Sequence, residues 1–212
     1  MNLRDILKGL NLKGVFSSSI SSDPFEVAVA TILSQNTSDV NAIKAFICLK
    51  EELGGRVTPH GILSLESEVL ESVISLSGLK KSKSRYILNL ANKVINFWNG
   101  DIRKVLEEED PRKSLMSIYG IGPKTADVIL LHIGYNETFA IDRHIERVVK
   151  RFGLVNQKDS YEIIRLKLME VFPPEDRLIA HKLLILIGRT YCRPSKPNCH
   201  ACPLKDACKK LT

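Results

Sequence analysis

The chain has 212 residues, enough to bury a real core as one large or two small domains. Its 31 Lys and Arg against 24 Asp and Glu leave a formal net charge of +7, which points to a polyanionic partner. No apolar run reaches the length of a transmembrane helix, and Met1-Asn2-Leu3-Arg4-Asp5 lacks a signal-peptide core, so a membrane partner is excluded and a cytoplasmic protein is expected.

Helical signals recur along the chain and strand signals are weak, so an all-α fold is expected. Asp23-Pro24 reads as a cap and first helical position before Phe25, Val27, Ala28 and Ile32. Thr37 or Ser38 opens the next helix, with Val40, Ile43, Phe46 and Ile47 on its apolar side and Gly54-Gly55 as its stop. Cys48, alone in that pattern, reads as a small core residue. Thr58-Pro59 restarts the pattern, and Leu65, Val69, Leu70, Val73 and Ile74 predict one apolar face as far as Gly78. Tyr86, Ile87, Leu90, Ala91, Val94, Ile95 and Trp98 form a long core stripe ended by Gly100. Asp101 begins a short helix through Ile102 and Val105, and Glu107-Glu108-Glu109-Asp110 reads as a solvated turn.

Leu115-Met116-Ser117-Ile118-Tyr119-Gly120-Ile121-Gly122-Pro123-Lys124-Thr125-Ala126 reads as a helix, a glycine hairpin and a second helix. Two glycines around one apolar residue allow a tight turn and bring backbone amides close to a phosphate. Pro123 suits the first helical position, so the free amides and positive dipole end of the new helix point at whatever the hairpin touches. Lys124, in that first turn and expected to be partly desolvated, reads either as a phosphate grip or, when neutral, as a nucleophile. Val128, Ile129, Leu130 and Leu131 continue the helix into a buried position.

Asp142 precedes the stripe Ile145, Val148, Val149 and Phe152, where its default reading is a helix cap. Tyr161, Ile164, Leu166 and Leu168 predict a helix ending at Pro173-Pro174, and Ile179, Leu183, Leu184 and Ile187 the last long one. Cys192, Cys199, Cys202 and Cys208 follow with the spacing Cys-x6-Cys-x2-Cys-x5-Cys. Without an export signal this cluster reads as metal binding rather than disulfides, and four thiolates hold either zinc or an iron–sulfur cube.

Gly120-Ile121-Gly122-Pro123-Lys124-Thr125-Ala126, then Ile141-Asp142-Arg143-His144-Ile145, then the four cysteines resemble the endonuclease III family of DNA glycosylases, within the helix-hairpin-helix glycosylase superfamily. The resemblance covers nearly the whole chain. It implies a two-lobed helix-hairpin-helix fold with a DNA-binding cleft between the lobes: a six-helix barrel over residues 23–135, and a domain joining 1–22 to 136–212 around a [4Fe-4S] loop on Cys192, Cys199, Cys202 and Cys208. It also implies that Lys124 and Asp142 face each other across that cleft, Lys124 attacking C1′ of a flipped nucleotide to form a Schiff base, with Asp142 stabilising charge on the sugar.

Leu33-Ser34-Gln35-Asn36-Thr37-Ser38-Asp39 resembles the family segment whose glutamine fills the gap left by the flipped base; the order is shifted, so Gln35 and Asn36 both qualify. Gly78-Leu79-Lys80-Lys81-Ser82-Lys83 resembles the intercalating turn, with Leu79 as wedge and Lys80, Lys81 and Lys83 toward phosphates. Arg193 and Lys196 fall where the family's cluster loop meets the DNA backbone, and Arg143 replaces a smaller residue usual after the catalytic Asp.

The implied activity is excision of oxidised pyrimidines such as thymine glycol from duplex DNA, with beta-elimination at the abasic site, by a monomer working at the nucleoid. The rivals are a mismatch glycosylase for thymine, uracil or adenine, and a non-catalytic DNA-binding iron–sulfur protein. An adenine-specific member normally carries a further carboxy-terminal domain, and the pairing of Lys124 with Asp142 weighs against binding alone.

Overall fold

The computed structural model describes residues 3–9 and 21–210, and every regular element among them is helical. They form two compact units: one runs to Ile133, and the other gathers the amino-terminal helix α1 (Leu3–Lys8) with everything from Gly134. Of the segment 1–22 expected beside the cysteines, residues 1–2 and 10–20 lie outside the described residues.

The first unit contains α2 (Pro24–Leu33), α3 (Asp39–Glu52), α4 (Pro59–Ser64), α5 (Ser67–Val73), α6 (Lys80–Trp98), α7 (Pro111–Met116) and α8 (Pro123–His132). Side-chain oxygens open most of them. Asp23 accepts from the amides of Phe25 and Glu26, Ser38 from Asn41, Thr58 from Gly61 and Asp110 from Lys113, each satisfying an amide the helix leaves unpaired. The long helix α6 buries Ile87, Leu90, Ala91, Val94 and Trp98, as its stripe predicts, and left-handed Asn99 and Gly100 close it. The Trp98 indole N–H donates to Glu108 at 2.9 Å, so the acidic run is tied at one point to the core rather than wholly solvated.

Three expectations are corrected here. The single helix predicted from Pro59 to Gly78 is broken into α4, α5 and a 3₁₀ turn at Ser75–Ser77, because Leu65 and Glu66 turn extended. The break brings Ile62, Leu70 and Ile74 all to full burial. On α3 the buried face is Ala42, Ala45, Phe46 and Leu49, while Val40, Ile43 and Ile47 are exposed. Apolar identity alone does not choose between two stripes; the small alanines do, by letting neighbouring helices approach. Cys48, on the flank of α3, is only half-buried beside Glu51, Ser72 and Leu76 at a shallow surface depression.

The second unit adds α9 (Arg143–Phe152), α10 (Tyr161–Val171) and α11 (Pro174–Thr190). Ile6, Phe139, Ile145, Val149, Leu168 and Leu184 meet in its core. α9 and α11 cross at Gly188, where a Cβ would lie 2.7 Å from that of His144. Pro173-Pro174 does close α10, and Pro174 also occupies the first turn of α11. Leu166 and Ile179, expected on the buried stripes, are instead exposed. No helix among the described residues is long and apolar enough to cross a membrane.

Candidate active site and cysteine loop

The hairpin sits between α7 and α8. The Arg112 guanidinium meets the fully buried Asp127 carboxylate at 2.7 and 3.1 Å, which clamps the two helices together. Gly120 has φ +97°, and a Cβ there would lie 2.1 Å from Cγ of Tyr86. Tyr86 in turn meets Tyr119 edge-to-face, with ring centroids 5.4 Å apart. Gly122 caps α8 without any side-chain bond and Pro123 follows at its start, so the amides of the first turn are not covered by a capping side chain. Lys124 lies in that turn and is exposed; the partial desolvation expected of it is not found.

Gln35 braces the hairpin. Its amide nitrogen donates to the Gly120 carbonyl and to the Thr125 hydroxyl, both at 3.2 Å. Of the two gap-filling candidates, Asn36 is therefore the one left exposed, and its backbone is left-handed at φ +51°. Leu79 is also exposed and left-handed, at φ +46°, with Lys80 and Lys81 exposed beside it. Lys83 is a correction. Its side chain is 1% exposed and its ammonium donates to the carbonyls of Leu33 at 2.7 Å and Ser77 at 2.6 Å, so it is not available to a phosphate. Lys83 continues the stripe of Ile87, Leu90, Val94 and Trp98 at helical spacing, and that register was the signal for its burial.

In the second unit, Asp142 caps α9. Its Oδ1 accepts from the amides of His144 and Ile145, both at 2.8 Å, so Oδ2 is the oxygen left for other chemistry. The segment leading to it is pinned by residues that sequence reasoning missed: His181 Nδ1 lies 2.9 Å from the Ala140 carbonyl, and the Ile141 amide donates to the Tyr161 hydroxyl at 3.4 Å. Arg143 is exposed. Burial lowers the pKa of His144 against the pull of Asp142, and Arg147, Arg189 and Arg143 lower it further. The Arg147 guanidinium, which only donates, stands 3.1 Å from its Nδ1, which places the ring proton of a neutral His144 on Nε2.

Arg147 and Arg151 then shape the cysteine loop. Arg147 donates to the carbonyls of Gly188 and Cys192; Arg151 donates to those of Arg193 and Pro194 and approaches the Cys192 sulfur at 3.7 Å. Arg193 and Lys196 are exposed on that loop. All four cysteines are free and half-buried. Burial pushes the Cys202 thiol up, and the sulfurs of Cys192, Cys208 and Cys199 push it the same way. Among the described residues no three of His, Cys, Asp or Glu close on one metal-ion position. An iron–sulfur cube asks for something else, one thiolate on each of four irons, and four unpaired, half-buried sulfurs fit that donor set.

Residues 29–174 match the HhH-GPD superfamily of base excision DNA repair proteins. Endonuclease III of Sulfolobus acidocaldarius is 39% identical over 212 residues, covering 99% of this chain and 93% of its own. That of Bacillus subtilis is 32% identical over 90% of this chain and 83% of its own. This chain belongs to the endonuclease III family. The structure of a trapped endonuclease III–DNA covalent intermediate, an estranged-adenine complex, superposes with a TM-score of 0.80 at 31% identity over 98% of this chain and 94% of that one. The all-helical fold is the fold of the endonuclease III structures, and the carboxy-terminal cysteines accord with an iron–sulfur loop.

Proposed function

We propose that this chain removes oxidised pyrimidines, thymine glycol among them, from double-stranded DNA and then cleaves the strand at the abasic site. Lys124 is the nucleophile: exposed, and at the uncapped start of α8 directly after the glycine hairpin, it carries the reading. Its neutral amine forms a bond to C1′ as the bond from C1′ to the base breaks. The base leaves with that electron pair and takes up a proton. The amine nitrogen then loses a proton, the C1′–O4′ bond breaks with O4′ taking up a proton as the sugar ring opens, and the nitrogen lone pair makes the iminium to C1′. Loss of a C2′ proton then expels the 3′ phosphate by beta-elimination.

Asp142 stabilises the positive charge that develops on the sugar and takes a proton from the amine through Oδ2, while Oδ1 keeps the cap. The hairpin amides around Gly120 and Gly122 take the backbone phosphate, and Asn36 and Leu79 enter the stack once the damaged nucleotide has left it. Lys81, Arg143, Arg193 and Lys196, all exposed, supply further phosphate contacts, and Gln35 acts through the hairpin it braces. The barrel lobe carrying the hairpin and the lobe carrying the cysteines are the family's two domains. Cys192, Cys199, Cys202 and Cys208 hold a [4Fe-4S] cluster, which when bound supplies a rigid frame for the loop of Arg193 and Lys196. The enzyme works as a monomer on nucleoid DNA in the cytoplasm.

Borohydride trapping on duplex DNA with an abasic site tests this. The expected result is a covalent adduct from the wild type, lost in Lys124→Ala and slowed in Asp142→Asn. An adduct that survives Lys124→Ala overturns the assignment of the nucleophile, and no adduct from any form overturns the lyase.

A further inference from the structure

Lys83 is a buried lysine that the chemistry above does not use, and its two partners are informative. The Leu33 carbonyl is the last of α2, and the Ser77 carbonyl is the last of the 3₁₀ turn; both are helix-end acceptors with no amide ahead of them in their own helix. A cation between two such ends answers both negative dipole ends at once. Each carbonyl also stands at the root of a loop. Three residues beyond Leu33 is Asn36, and two beyond Ser77 is Leu79, each exposed and each held at positive φ without being glycine. Asparagine takes up that region readily, but a left-handed leucine persists only where its surroundings hold it. Gln35 fixes the first loop to the hairpin, and Lys83 fixes the root of that loop to the root of the second.

We propose that Lys83 is a positioning residue that holds the Asn36 loop and the Leu79 turn at one fixed separation, so that both enter the DNA stack together when the nucleotide leaves it. This rests on the insertion roles given to Asn36 and Leu79 above. Burial pushes the Lys83 amine down to about 8, and the two carbonyls, which only accept, are what its N–H groups answer at that depth. The residue acts on extrusion of the base and not on the bonds that break. Excision of a paired base therefore depends on Lys83, and reaction at a site that has already lost its base does not.

The experiment uses the full chain with Lys83→Met, and Lys83→Gln as a milder form that keeps a donor. Thymine glycol excision from duplex DNA is compared with borohydride trapping at an abasic site in the same duplex. The expected result is a loss of roughly tenfold or more in excision with trapping within about threefold of wild type, and partial recovery in Lys83→Gln. Equal losses in both assays, or none in either, overturn the proposal. Amide hydrogen exchange of the free protein is read alongside: faster exchange at both 34–38 and 77–80 in the variants is expected, and unchanged exchange in either segment overturns it. A wild type that neither excises nor traps sinks the glycosylase reading, and the exchange result then still decides whether Lys83 joins the two loops.

Discussion

Lys124 and Asp142 stand at the starts of two ten-residue helices that are built by opposite means. α8 begins at Gly122, with no side chain over its first amides and a cation beside them. α9 begins at Asp142, whose own carboxylate takes two of those amides. The hairpin depends on atoms that are missing, the Cβ of Gly120 above all, and the second site on atoms that are present. Adding atoms should damage the first, and removing them the second.

The exception sharpens the contrast. Beneath the hairpin, Asp127→Ala removes the buried carboxylate that the Arg112 guanidinium grips, and a loss of about 3–5 kcal/mol is expected in denaturant unfolding. A loss below about 1 kcal/mol would mean that glycine geometry alone holds the turn. Gly120→Ala comes next. The added carbon overlaps the Tyr86 ring at an already left-handed residue, and a cost of about 2–4 kcal/mol should be recovered in part by adding Tyr86→Ala. No recovery would place the cost in the backbone instead.

Removing one charge at Asp142 is milder. Asp142→Asn keeps a capping oxygen, so thermal unfolding should register less than about 1 kcal/mol while trapping slows severalfold. The smallest effect concerns pH. Burial holds the folded pKa of His144 below its unfolded value of 6.5, so the stability that its neutral form contributes is complete above 6.5 and is lost as pH falls through the lower, folded value. Raising pH from 5 to 7 should therefore lift the melting temperature of wild type more than that of His144→Asn.

The hairpin was legible because glycines, proline and lysine at fixed spacing each have one backbone reason to be there. So was the cap at Asp142, which follows from residue type and position. Lys83 was misread because a lysine among lysines in a turn passes for a solvated one; its place on the α6 stripe carried the contrary signal. Val40, Ile43 and Ile47 were misread for a related reason, since hydropathy marks a face as apolar but not as covered. The supports of the Asp142 segment, His181 and Tyr161, come from distant stretches of chain, and no local pattern joins them to it.

Arg147 and Arg151 grip the cysteine loop through the carbonyl oxygens of Gly188, Cys192, Arg193 and Pro194. A carbonyl is the same whatever side chain its residue carries. The path of that stretch is thus set largely from α9. Arg193 adds a bond of its own, from its side chain to the Thr190 carbonyl, but a position such as Ser195 is free to drift in charge and size, or to be rewritten at the bench, without redrawing it. Specificity for what the loop touches can evolve there cheaply, whereas the two arginines that draw its outline cannot be exchanged.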